Sequence, residues 1–276
     1  MSKKVAVVTG GNKGIGFAIV KELCKAKFPG DIILTARNEK LGKEAVELLK
    51  SEGFKATFQH LDICDQGSAV KLRDFLQNIY GGLDVLVNNA GIAFKNDATE
   101  PFGEQAEVTM RTNFWGTLWV SHALLPILRP NARVVNISSF VSKRALDQCS
   151  PQLQAKFRDP KLSEEELCGL MGEFVTAAQK GSHKAEGWPN TAYGTTKIGV
   201  TVLSMIQAHE LTKTRAGDGV LLNACCPGWV RTDMAGDKAP KSPEEGAQTP
   251  TYLALLPVGT EEPHGHLVWD KVVQEW

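Results

Sequence analysis

The segment Val5-Ala-Val-Val-Thr-Gly-Gly-Asn-Lys-Gly-Ile-Gly16 joins a short apolar run to a cluster of glycines, and helically spaced apolar residues follow at once. A β-branched run of this kind reads as a buried strand. Glycines at a strand–helix junction let the backbone turn tightly and approach a pyrophosphate, which the N-terminus of the next helix attracts. Gly10, Gly14 and Gly16 are spaced T-G-x-x-x-G-x-G, with Asn12, Lys13 and Ile15 between them. Phe17 follows Gly16 where a nucleoside-triphosphate loop needs Lys-Ser or Lys-Thr, so that loop type is excluded. A glycine-rich turn with no ligand stays open on this segment alone.

Working outward, further short apolar runs at 32–35, 56–61, 85–88, 133–137 and 220–225 read as buried parallel strands. Helical spacing fills 15–26, 40–52, 66–80 and 101–128. Strand and helix alternate, which predicts an α/β fold of Rossmann type: a doubly wound parallel sheet with helices on both faces. A polar stretch at about 144–187 interrupts the alternation. Within it Ser163-Glu-Glu-Glu166 has a capping-box pattern and predicts a helix ending near Gln179. It is read as a helical insertion in one domain spanning 1–276.

The chain has 276 residues and is 42% hydrophobic, enough for a sizeable core in one α/β unit. Lys+Arg and Asp+Glu both number 31, so no net field draws nucleic acid or an anionic membrane. Mean hydropathy is −0.17, and no run approaches the roughly 18 apolar residues of a membrane span. No signal-peptide pattern opens the chain, so a cytoplasmic protein is expected. The cysteines at 24, 64, 149, 168, 225 and 226 show no zinc spacing and read as reduced thiols, with no metal site expected.

Dinucleotide sites for NAD place an acidic residue at the end of the second strand, on the ribose hydroxyls. Here that place reads Ala36-Arg37-Asn38, and Lys13 is expected nearby. Two cations suit a 2′-phosphate and leave a free hydroxyl without an acceptor, which favours NADPH; two solvated surface cations are the plainer alternative. In Asn190-Thr-Ala-Tyr193-Gly-Thr-Thr-Lys197, Tyr193 and Lys197 share one helix face, with Asn190 as the candidate cap. A nearby ammonium lowers a phenol's pKa toward a useful range for proton transfer. Ser138 follows the fifth strand, at the carboxyl end where ligands sit in such sheets. Asn88-Asn89-Ala90-Gly91 ends the fourth strand, Asn113 lies inside a helical stretch, and Pro227-Gly228-Trp229-Val230-Arg231-Thr232 follows the sixth strand. Taken singly, each Ser or Asn would pass for a cap or turn residue.

In that order, these residues resemble the short-chain dehydrogenase/reductase family over nearly the whole chain. Within the family the sequence is similar to the monomeric cytosolic carbonyl reductases, in Gly11–Gly16, Ala90–Lys95, Ala192–Gly199 and Asn223–Met234. The resemblance implies NADPH-dependent reduction of carbonyl compounds such as aldehydes, ketones and quinones, with prostaglandins and 20-ketosteroids in the candidate range. Tyr193 would give the proton, Ser138 would hold the carbonyl oxygen, Lys197 would hold the nicotinamide ribose, and Asn113 would keep a water relay to Lys197. Asp62 and Ile63 would meet the adenine, and Asn89, Ala90 and Gly91 the adenosine ribose. Pro227, Gly228, Val230, Arg231 and Thr232 would fix the nicotinamide end. Trp229 and Met234 would wall the substrate pocket. A dedicated steroid or prostaglandin dehydrogenase would use the same residues. A nucleotide sensor without chemistry would break the Tyr/Lys/Ser set, which is intact.

Glutathione or its conjugates are a further implied ligand, at Phe94, Lys95, Asn96, Gln105, Ala192 and Tyr193, with an ordinary pocket rim as the alternative. The stretch from Ser138 to Tyr193 is far longer than is usual in the family. By resemblance it covers the helix face that other members use to associate, so a monomer is expected. Leu167, Leu170, Met171, Phe174 and Val175 fall on one stripe, expected to pack on the helices of Asn113 or Tyr193.

Overall fold

The computed structural model describes residues 3–95 and 97–276. Its first half alternates regularly: β1 Lys4–Val8, α1 Gly14–Lys25, β2 Gly30–Ala36, α2 Glu39–Ser51, β3 Thr57–His60, α3 Gln66–Tyr80 and β4 Leu83–Asn88. There follow α4 Phe102–Met110, a π-helical turn Arg111–Trp115, α5 Gly116–Leu124 and β5 Leu128–Ile137. The second half holds α6 Val141–Asp147, α7 Pro151–Arg158, α8 Glu164–Lys180, α9 Ala192–Thr214 and β6 Leu221–Cys226. The chain closes with α10 Pro243–Gly246, α11 Gln248–Ala254, β7 Leu267–Trp269 and β8 Val272–Gln274.

The eight strands form one sheet in the order β3-β2-β1-β4-β5-β6-β7-β8, parallel except for β8. Strand order reverses between β1 and β4, so a crevice opens outside their carboxyl ends. Side-chain alternation assigns the two faces: Val5 and Val7 enter one apolar cluster with α3 and α5, while Ala6 and Val8 enter the other with α1 and α11. The six expected strands and the four helical stretches are present, with three differences. The 101–128 stretch is broken by a π-helical turn around Asn113, and Leu128 belongs to β5. Strands β7 and β8 were not foreseen. The cap of α9 is Thr191, whose hydroxyl accepts from Gly194 N at 3.1 Å, because Asn190 is occupied by His183 Nε2 at 2.9 Å.

The long connection from β5 to α9 builds a third apolar cluster. The capping box at Ser163 and Glu166 starts α8, and the left-handed Gly181 ends it. Leu167, Leu170, Met171 and Phe174 are buried against α4 and α9, while Val175 packs at the margin. Phe174 meets Phe102 edge-on at 6.2 Å and Trp188 at 5.5 Å. The stripe is therefore packed within the chain, on α4 and the helix of Tyr193. Replacing Phe174 by Ala should lower unfolding free energy by about 3–5 kcal/mol, the usual cost of emptying a buried aromatic site. Urea denaturation checks this, and a loss below 1 kcal/mol would show the third cluster to be loosely packed, as order-of-magnitude mutational costs go.

Candidate active site

The glycine loop is built by contacts that leave no room for side chains. Thr9 Oγ1 accepts from Asn89 N and Ala90 N, and Asn89 Nδ2 donates to the Thr9 carbonyl at 2.9 Å. Gly10 and Gly14 have φ of +62° and +55°, a region where a Cβ is costly. A Cβ on Gly16 would overlap Asn89 Nδ2 and the Gly10 carbonyl. Helix α1 begins with no side-chain cap, so its first N–H groups face the crevice unspent. Bare backbone and an uncapped 12-residue helix fit a pyrophosphate. Asn12 and Ile15 are half-buried in this loop.

At the adenine end, Arg37 follows β2 with an exposed side chain, and Asn38 caps α2 by accepting from Leu41 N. Asp62 is fixed by its own turn, its Oδ1 accepting from Cys64 N at 2.9 Å while its N–H donates to Ser68 Oγ. Ile63 packs against Gly116 at the start of α5. The Lys13 ammonium pairs with Asp233 at 2.6 Å. Both groups are largely exposed, so this pair is weak and open to exchange for another anion.

Tyr193 and Lys197 lie one turn apart on α9, with the ammonium 5.5 Å from the phenol ring centroid. Lys197 Nζ donates to the Ile137 carbonyl at 2.7 Å. Burial lowers its pKa to about 8, against the opposing pull of Cys225 and Cys226. The expected lowering of the Tyr193 pKa is not what the structure shows. Burial pushes the phenol up to about 12, Cys226 adds to the rise, and the Ser139 hydroxyl opposes it. Desolvation is the largest cause of the rise.

The serine expected at the centre is also corrected. Ser138 Oγ pairs with Thr201 Oγ1 at 2.6 Å and donates to the Lys197 carbonyl, and the residue is buried. It shares the strand parity of Asn136, which donates to Ser204 on α9, so it points beneath α9. Ser139, two residues past the strand, is the hydroxyl beside Tyr193. Strand alternation was the sequence signal for this. Asn113 likewise braces the fold: its amide donates to the Ile92 carbonyl and Thr196 Oγ1, and its Oδ1 accepts from Ile92 N. The π-helical turn holds it in that position, a device often found at functional sites.

After β6, Pro227 is buried and Gly228 takes φ +87° with its N–H on Cys226 Sγ. Val230 is buried under Gly246, so it offers the crevice only backbone. Arg231 donates through one guanidinium nitrogen to the Ala239 and Pro240 carbonyls and so clamps its own loop. Thr232 reaches the glycine loop, 3.2 Å from where a Gly14 Cβ would lie. Trp229 and Met234 are exposed, at 50% and 41%. Ala90 and Gly91 line the β4 end, half-buried. Of the expected glutathione set, Phe94 is half-buried and Lys95 exposed, whereas Ala192 is buried in the third cluster and the Gln105 amide is tied to the Glu100 carbonyl. Asn96 lies outside the described residues. Among the described residues no group of three or more His, Cys, Asp or Glu side chains is placed to hold a metal, and no helix is long and apolar enough to cross a membrane.

A doubly wound parallel sheet, a glycine-rich loop at its switch point, and a Tyr–Lys pair beside a serine at the strand ends define a dinucleotide-dependent oxidoreductase. The chain belongs to the short chain dehydrogenase family, whose model matches residues 4–157. It is 63% identical over 274 residues to carbonyl reductase (NADPH) 1 of Rattus norvegicus, covering 99% of both chains. The Homo sapiens protein of the same name is 61% identical over 272 residues, covering 99% of this chain and 98% of its own. Among solved structures, salutaridine reductase from Papaver somniferum superposes with a TM-score of 0.85 at 30% identity, covering 97% of this chain and 100% of its own.

The two serines should separate by stability. Ser138→Ala removes a buried partner of Thr201 and should cost about 1–2 kcal/mol, whereas Ser139→Ala should cost less than half of that. Urea titration of both variants measures the difference, and the reverse order would contradict the placement of the two hydroxyls.

Proposed function

We propose that this chain reduces the carbonyl group of small molecules to an alcohol, with NADPH as its cofactor. The observation that carries this reading is the juxtaposition of Tyr193 and Ser139 at the carboxyl end of β5, with Lys197 one helical turn away. The names of the mammalian relatives, at about 60% identity, support it. A bound reduced nicotinamide supplies the hydride. The chain's own residues hold the cofactor and the carbonyl and manage the proton. A phenol raised to about 12 stays protonated at neutral pH, which is the form needed to donate to a carbonyl oxygen. Ser139 holds the same oxygen and steadies the charge that develops on it. Lys197, anchored on Ile137, presents a cation beside Tyr193 and the nicotinamide ribose. Exposed Arg37, with Lys13 once released from Asp233, would meet the 2′-phosphate.

Trp229 and Met234 form an exposed apolar rim suited to quinones, aromatic ketones and aldehydes, with prostaglandins and 20-ketosteroids as larger candidates. A glutathione conjugate would use the Lys95 ammonium, since Gln105 and Ala192 are otherwise engaged. The intramolecular burial of the α8 stripe supports a monomer.

Initial rates with NADPH and NADH on a quinone and an aromatic ketone test the reading. NADPH should be strongly preferred, and Tyr193→Phe should abolish turnover while still binding NADPH. Ser139→Ala should lower kcat about 10²–10³-fold, as loss of an oxyanion donor does. Turnover by Tyr193→Phe above a tenth of wild type, a level roughly one log unit of transition-state stabilisation below it, would remove the proposed acid. Light scattering at micromolar concentration should give a monomer near 30.0 kDa; a dimer would overturn that proposal.

A further inference from the structure

Phe140, the residue after Ser139, is held from several directions although it belongs to none of the three apolar clusters. Its N–H donates to Cys226 Sγ at 3.1 Å. The Trp269 indole stacks on its ring at 5.4 Å and 20°. The Arg144 guanidinium lies over the same ring, 4.7 Å from the centroid. Trp269 arrives there because β7 pairs with β6 in parallel, Cys226 opposite Trp269, which extends the catalytic edge of the sheet by one strand. The indole N–H is buried without a partner, which is unfavourable, so ring contact with Phe140 is what this side chain contributes.

Ser139 is held locally: its Oγ accepts from Val141 N at 3.2 Å, two residues on, and meets the Tyr193 phenol, the group it is to act beside. Its rotation therefore follows the backbone of Phe140, which a free ring would let swing. We propose that Trp269, together with Arg144, is a positioning residue for Ser139 and acts through the Phe140 ring. The proposal rests on reading Ser139 as the hydroxyl that holds the carbonyl oxygen. Both partners work through one intermediary, so the effects of removing them are coupled.

The test uses the full chain, with NADPH and an aromatic ketone. Wild-type turnover, and its loss in Ser139→Ala, tests the underlying reading on its own; failure there removes both claims. With that in hand, Trp269→Ala should lower kcat about tenfold, as small misplacements of reacting groups do, and leave the NADPH dissociation constant within twofold. Trp269→Phe, which keeps the stack and drops the unpaired N–H, should restore at least about half of kcat. Arg144→Gln should lower kcat about threefold, and the double variant should lose less than the product of the single losses, as coupled sites do. The proposal is overturned if Trp269→Ala keeps kcat within twofold of wild type, if Trp269→Phe is as impaired as Trp269→Ala, or if the losses multiply. Should Trp269→Ala fail to fold, the exposed Arg144→Gln decides: an unchanged kcat overturns the proposal.

Discussion

A single charged hydrogen bond organises this site: the Lys197 ammonium on the Ile137 carbonyl. An ammonium taken out of water is costly unless it is bonded, and here it is bonded to the last residue of β5. That contact sets the rotation of α9 about its axis and its height along the strand. Tyr193, one turn earlier, is thereby brought to the strand end, and Thr201, one turn later, is brought over Ser138. The buried relay from Asn88 to Asn136 to Ser204 carries the same registration across β4 and β5. Helix and sheet are thus joined by polar contacts where apolar packing alone would permit sliding.

Much of this was legible from residue order. The glycine spacing, six strand runs and the Tyr193–Lys197 interval all follow from local periodicity, which survives in almost any packing. What escaped depends on three-dimensional competition. Ser138 and Ser139 are equivalent by composition, and only the pleat parity inherited from Asn136 separates them. Arg231 and Lys13 are cations in the expected places, but the carbonyls and the carboxylate that they bond in the folded chain are not read from spacing. The sign of the Tyr193 shift turned on burial, which no spacing reveals. Strands β7 and β8 are three residues each, and their hairpin turns on Asp270 and Lys271 at positive φ, where glycine or asparagine would have advertised the turn.

The polar stretch before α9 illustrates how an irregularity becomes structure. Helix α6 packs on α9, α8 packs on α4 and α9, and α7 contributes Leu153 and Phe157 to the third apolar cluster. Phe157, Phe174 and Trp188 fill the space between them. The result is a helical shoulder that backs the Tyr193 helix from the side opposite the sheet, so α9 is buried almost all round and shows little amphipathic character.

The sheet order also bears on how the chain is made. Strand β1 is near the middle of the sheet, hydrogen-bonded to β2 on one side and to β4 on the other. During synthesis β1 and β2 emerge early, but the edge of Val5–Val8 that awaits β4 stays uncovered until residues 83–88 have left the ribosome. An apolar strand with an open edge is a template for pairing with another chain. Until β4 arrives, the nascent chain carries a buried-type apolar strand without its second partner, a species exposed to pairing with other chains.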